Sequence, residues 1–275
     1  MSIVLQVKNL QKKFGEREIL KDISFEVRHG EKIGLVGWNG SGKTTLVNML
    51  MGSVEHDKGS ITTWPSNLKK GYLPQSTDYT LNVENELTNS AEELFQTSKR
   101  LGLHKDIIER EEFQYLSGGE RLKLSIAKIW ANHPEFLILD EPTNHLDFQG
   151  ITWLTEEVCR YAGAALIISH DRRFLDQTVK KIFEIEDGKL TVFEGNYSAY
   201  RAEKSRRYEQ QKRDYEKQQR KVAMIEQQVS TLKNFAEKAH RQAGKGGSLS
   251  ENRQMGLKQF ERAKAKKKDN QVNPS

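Results

Sequence analysis

Apolar positions in the first 199 residues come in two rhythms. Ile23-Ser24-Phe25-Glu26-Val27 alternates with a period of two, and Ile3–Val7 and Lys32–Val36 are short strand-like runs. Phe136–Leu139 and Ala164–Ile168 are apolar throughout, the pattern of strands covered on both faces. Leu122, Ile126, Ile129 and Trp130 recur at helical spacing, a helix is predicted after Gly42, and Glu84–Arg110 consists mostly of helix formers. Asp187-Gly188, set between Ile182–Ile185 and Leu190–Phe193, predicts a hairpin with a two-residue turn. The alternation predicts an α/β domain with a mostly parallel core and an antiparallel fringe.

From Tyr200 the period becomes seven. Tyr208, Tyr215, Val222, Val229 and Ala236 form one seam, and Ile225, Leu232 and Ala239 fill the second. Lys204, Gln211 and Gln218 occupy the early second-seam places, so only the later half is a sound coiled-coil stripe. A helix of roughly 40 residues, on the order of 60 Å long, is predicted to end near Gly244-Lys245-Gly246-Gly247. Asn252–Lys268 can begin a returning helix but is too short to complete it. Two domains are expected, residues 1–199 and 200–275.

Composition sharpens the division. Residues 200–275 hold 20 Lys and Arg against 9 Asp and Glu, a net of +11, while the remainder carries −5 of the chain's +6. A nearly neutral body with a basic tail points to nucleic acid or another polyanion. Mean hydropathy is −0.75, and no apolar run approaches the roughly 20 residues of a membrane span. Met1-Ser2-Ile3-Val4 carries no basic region before an apolar block, so no secretory signal is expected. Cys159 is alone and reads as a small residue on a helix face. The cytoplasm is the expected compartment.

Gly37-Trp38-Asn39-Gly40-Ser41-Gly42-Lys43-Thr44 fits G-x-x-x-x-G-K-[ST], and it lies between a predicted strand and a predicted helix, the context this motif requires. Its backbone N–H groups would face phosphate oxygens. Lys43 would bring charge to the terminal phosphates and Thr44 a hydroxyl to Mg²⁺. Trp38, at a variable position, receives no role. Asp140 ends an apolar strand, as does the carboxylate that holds Mg²⁺ in phosphate-loop NTPases, and Glu141 follows as a candidate general base.

Leu116-Ser117-Gly118-Gly119-Glu120 opens a predicted helix. With the phosphate loop, it resembles the signature motif of the ATP-binding-cassette ATPases. In that resemblance Gln75 of Tyr72-Leu73-Pro74-Gln75 corresponds to the glutamine touching Mg²⁺ and the attacking water. Leu146-Asp147 corresponds to the D-loop, and His170 of Ile167-Ile168-Ser169-His170-Asp171 to the switch histidine at the γ-phosphate. Phe14 stands where the family stacks an aromatic on adenine, a core role being the alternative. The resemblance covers residues 1–195. It implies a RecA-like parallel core, an antiparallel β subdomain and a small helical subdomain. ATP would lie on Gly37, Asn39, Gly40, Ser41, Gly42, Lys43, Thr44, Thr45 and Phe14. The metal would lie on Thr44, Gln75 and Asp140, and catalysis would fall to Glu141, His170 and Gln75. Ser117, Gly118, Gly119 and Glu120 would reach a nucleotide held by an opposite cassette.

Three further stretches narrow the resemblance to the ABC-F class: Glu141-Pro142-Thr143-Asn144-His145-Leu146-Asp147, Ser169-His170-Asp171-Arg172-Arg173-Phe174-Leu175-Asp176, and Gly195-Asn196-Tyr197-Ser198-Ala199-Tyr200 followed by Lys204. Members of that class join two cassettes through a basic helical hairpin and act at the ribosomal E site as translation factors or in antibiotic resistance. The resemblance thus implies ribosomal and transfer RNA as partners of the basic linker, with no membrane domain. It also implies a second cassette, missing from this chain, or a homodimer partner. Phe235–Arg241 and Lys264–Asp269 also resemble linkers of the resistance branch. The segment between Gln75 and Ser117 is too short for the extra arm some members insert there. The competing reading is the cytoplasmic ATP-binding subunit of an ABC transporter, which shares the motifs but leaves the basic tail unexplained. A DNA-repair or chromosome-structure ATPase is a third, although there the coiled coil interrupts the cassette.

Overall fold

The computed structural model describes residues 2–75, 91–100, 103, 117–144 and 146–244. The expected strands at the N-terminus extend into a long hairpin, β1 (Ile3–Phe14) and β2 (Arg17–Arg28), with β4 (Lys58–Thr63) antiparallel on the far side of β1. β4 is mostly exposed and carries one aliphatic side chain, Ile61, which is why no alternating pattern announces it.

A second sheet has the order β5-β6-β7-β3-β8-β9. Its strands are β3 (Lys32–Gly37), β5 (Lys70–Leu73), β6 (Phe136–Asp140), β7 (Ala164–Ile168), β8 (Lys181–Glu186) and β9 (Lys189–Glu194). All neighbours are parallel except β8 and β9, the predicted hairpin. The helices among the described residues are α1 (Lys43–Met51), α2 (Ala91–Arg100), α3 (Gly118–Ala131), α4 (Phe148–Arg160), α5 (Arg172–Thr178) and α6 (Tyr197–Gly244).

β6 and β7 divide their side chains between two cores. Leu137, Leu139, Ala165 and Ile167 meet apolar residues of α3, α4 and α5 on one face. Phe136, Ile138, Ala164, Leu166 and Ile168 meet α1 and the antiparallel sheet on the other. Burial on both faces explains the continuous apolar runs in sequence. A methyl group on Gly34 of β3 would come within 2.7 Å of the Ile182 side chain, so this central strand lies close to its neighbour.

The strand order sets the site. β6, β7 and β3 are successive neighbours, Asp140 lies beside Ile168, and β3 runs into the phosphate loop at Gly37. Three carboxyl ends therefore converge, which is where open α/β sheets bind ligands.

The chain divides into two compact units, Met1–Ser205 and Arg206–Ser275. α6 is 48 residues long and starts three residues before the heptad pattern, because the Asn196 side chain caps it by accepting from Ala199 N–H at 3.0 Å. In the second unit Tyr208, Tyr215, Val222, Ile225, Val229 and Leu232 are exposed. The expected returning helix, Asn252–Lys268, lies outside the described residues, as does most of Glu84–Arg110. Among the described residues, no helix is long and apolar enough to cross a membrane.

Candidate nucleotide site

Gly42 introduces α1 with φ of 106°, a left-handed conformation that favours glycine. A Cβ there would meet Leu20 at 2.8 Å, so the loop is seated directly on the antiparallel sheet. No side chain caps α1, and its first turn holds no acidic residue. Its N–H groups and the positive end of its dipole are therefore available to an anion. The Ser41 hydroxyl oxygen is buried and without a hydrogen-bond partner among the described residues.

A cavity of about 490 Å³ opens at this point. Asn39, Gly40, Gly42, Lys43, Thr44 and Thr45 form one wall, and Gln75, Asp140, Glu141, Ile168 and His170 form another. The ammonium of Lys43 donates to the carbonyls of Gly37 at 2.8 Å and Trp38 at 3.1 Å, folding its side chain back over the loop. Burial lowers the Lys43 pKa, against the raising influence of Glu141 and Asp140. Asp140 is pushed up to about 6, first by burial and then by the neighbouring Glu141 charge, with Lys43 opposing.

Glu141 is buried and adopts φ of 51°, uncommon for a residue with a side chain. Its N–H donates to Ile168 at 2.8 Å, which turns the chain sharply at the strand end. Its carboxylate accepts from His170 N–H at 3.3 Å, and one oxygen lies 3.5 Å from His170 Nε2. A hydroxyl contact at 3.1 Å between Thr143 and Ser169 ties the loops carrying Glu141 and His170. Asp171 then caps α5 by accepting from Arg173 and Phe174 N–H. Asp147 caps α4 through Gly150 N–H at 2.8 Å.

The donor set fits phosphate and a hard divalent cation. Among the described residues no three His, Cys, Asp or Glu side chains cluster as a metal cage. The oxygens of Thr44, Gln75 and Asp140 suit Mg²⁺, which keeps waters and shares substrate phosphates rather than filling an all-protein site. The adjacent Asp140 and Glu141 carboxylates also repel one another, a repulsion that a cation beside Asp140 would relieve.

The other sequence-selected residues lie elsewhere. Gly37 borders a neighbouring cavity rather than this one. Phe14 is half-exposed under the Lys12 ammonium, 5.3 Å from the ring centroid, and lines neither cavity. Its hairpin partner Arg17 does line the nucleotide cavity, together with Ile19, and the local sequence carried no signal for either. Ser117 and Glu120 form a reciprocal cap. The serine hydroxyl accepts from Glu120 N–H, and the glutamate accepts from Ser117 N–H at 2.8 Å. Neither Ser117, Gly118, Gly119 nor Glu120 lines the cavity.

Comparison with known proteins agrees with this architecture. Two family models described as ABC transporter match residues 20–144 and 183–273, the second being an extension model. The chain is 34% identical over 272 residues to the ribosome protection protein VmlR of Bacillus subtilis, covering 99% of this chain and 46% of that one. It is 35% identical over 214 residues to the energy-dependent translational throttle protein EttA of Haemophilus influenzae, covering 74% and 38%. It thus spans less than half the length of either relative. Among solved structures, CbiO1 of Clostridium perfringens, part of an ABC transporter complex, superposes with a TM-score of 0.62 at 22% identity, covering 74% of this chain and 92% of that one. That likeness establishes the fold: an α/β cassette with an antiparallel β subdomain and a parallel sheet, followed here by a long helix. The chain belongs to the ABC-F family, as an ATP-binding cassette followed by that family's extension.

Proposed function

We propose that this chain is the ATP-binding and ATP-hydrolysing part of an ATP-driven clamp that acts on the ribosome in the cytoplasm. The observation that carries the reading is the meeting of Lys43, Asp140, Glu141 and His170 around one cavity. Two relatives named for ribosome protection and for translational throttling bring in the ribosome. The basic extension supplies charge suited to phosphate backbones.

Lys43 and the N–H groups around Gly40–Thr45 hold the terminal phosphates. Thr44, Gln75 and Asp140 would hold Mg²⁺, which when bound neutralises charge developing on the phosphate oxygens. Glu141 orients a water and accepts its proton as the water oxygen bonds to the γ-phosphorus. The bond from that phosphorus to the bridging oxygen breaks, leaving ADP and inorganic phosphate, and the proton passes to solvent. His170 holds the Glu141 carboxylate in place and faces the γ-phosphate.

Ser117–Glu120 would close on nucleotide held by a second cassette, or by a second copy of this chain. Two γ-phosphates bridging the cassettes hold the clamp shut, and hydrolysis releases it. Turnover by this chain alone is accordingly expected to be weak, with specific activity rising with protein concentration. The test is ribosome pelleting at low salt, using the complete protein that contains this chain. With ATP, Glu141→Gln is expected to stay on ribosomes and Lys43→Ala to remain in the supernatant. A Glu141→Gln protein found free of ribosomes, or in a membrane fraction, overturns the reading.

A further inference from the structure

Behind the phosphate loop lies a second cavity of about 640 Å³, formed wholly within the first unit. It shares Asn39, Lys43, Glu141, Ile168 and His170 with the nucleotide cavity, so both open onto the place where the γ-phosphate is expected. Its remaining wall includes Trp38, Arg172, Arg201, Lys204 and Glu184. This wall brings together three parts of the chain that no motif connects: the variable position of the loop, the start of α5 and the start of α6.

The charges there are unequally matched. Lys204 donates to Glu184 and, at 3.1 Å, to Glu186, and Glu184 also accepts from the Tyr200 hydroxyl at 2.6 Å. The lysine and both glutamates are thus bound to one another. Arg172 and Arg201 are exposed, and their guanidinium groups make no hydrogen bond or ion pair to any described residue. Both arginines line the same cavity as Lys43. A guanidinium fork matches the oxygens of phosphate and stays charged at all working pH values.

Resting on hydrolysis at Lys43, we propose that this cavity receives the inorganic phosphate product and that Arg172 and Arg201 bind it there. ADP would occupy the loop on the Gly40–Thr45 side. The cleaved phosphate is left beside Lys43 and His170, at the mouth of the cationic chamber. A site of this kind separates the two products after bond cleavage and gives phosphate a route that need not pass the nucleotide.

The test is a phosphate titration of the full 275-residue chain loaded with ADP, followed by ³¹P line broadening of inorganic phosphate. Saturable broadening is expected in the unmodified chain. Arg172→Gln combined with Arg201→Gln is expected to weaken it about tenfold or more. Both residues are exposed, so the double variant should fold, and its affinity for a fluorescent ATP analogue should stay within about twofold. Unchanged phosphate affinity in the double variant, or no saturable broadening in the parent, overturns the proposal. So does a double variant that loses RNA binding while holding phosphate normally, because the arginines would then be RNA contacts. A chain that binds phosphate through these arginines yet releases none from ATP supports the site and overturns hydrolysis by this chain.

Discussion

Asp140 carries a cost in the absence of a cation. Burial and the adjacent Glu141 raise its pKa to about 6, so the folded chain holds a proton there that the unfolded chain has already lost. Where the native state binds the extra proton, stability falls as pH rises. The penalty is absent below about pH 4, grows between about pH 4 and 6, and is complete at neutral pH. Asp140→Asn is therefore expected to raise the stability of the nucleotide-free chain at pH 7 by about 1–2 kcal/mol, allowing for screening by water in the open cavity. Thermal melts from pH 4 to 7 would show the advantage of the variant opening with pH, and a constant offset would contradict the assignment. Gly42 is the second residue whose chemistry is decided by its surroundings. Gly42→Ala combines a left-handed backbone with a methyl group 2.8 Å from Leu20, and should cost about 2–4 kcal/mol in urea unfolding. Gly40 also has positive φ, but nothing lies within 4 Å of its added Cβ, so Gly40→Ala should cost about 1–2 kcal/mol.

Among the elements, the start of α6 shows how local and distant interactions combine. Asn196 supplies the local cap, whereas Asp176 of α5 accepts from Ser198 N–H at 2.6 Å. One turn on, Glu184 of β8 is buried and accepts from both Tyr200 and Lys204. Burial, and then the bond to Glu184, push the Tyr200 hydroxyl well above its usual pKa. Glu184→Ala would strand the Tyr200 hydroxyl and leave Lys204 with Glu186 alone, at a cost of about 1–3 kcal/mol. Hydrogen exchange at residues 197–204 is expected to accelerate in that variant, with little change in α1. Equal acceleration throughout the first unit would mean that the contact supports the whole domain rather than the root of this helix. Along the sequence, Gly195-Asn196-Tyr197 marked the neighbourhood of this boundary, but no periodicity could place Glu184 beneath Tyr200. β4 and β5 were equally silent, one for want of apolar residues and the other for its length of four.

For the molecule as a whole, charge is partitioned by position: residues 200–275 carry +11 and the rest −5. The tail's lysines and arginines should bind RNA by releasing counterions, without reading base sequence. Affinity for single-stranded RNA is expected to fall by about tenfold or more between 50 and 200 mM salt, and to differ little among RNA sequences of equal length. A salt-insensitive or strongly sequence-selective interaction would exclude this mode. The apolar stripe of α6 from Val222 to Leu232 is exposed, the usual mark of a helix face that packs against another.

The phosphate loop, the paired carboxylates, the switch histidine and the heptad stripe were legible along the chain. The first two are written in contiguous residues and the stripe in the helix period, whereas His170 was marked only by the resemblance to the cassette family. The meeting of these segments was not. Asp140 reaches the phosphate loop because β6 and β3 flank β7, and strand order is settled by burial on both faces of a sheet rather than by any local pattern. For the same reason Arg17 and Ile19, and not Phe14, border the nucleotide cavity. Arg172 and Arg201 likewise became a pair only when α5 and the root of α6 were brought to one wall.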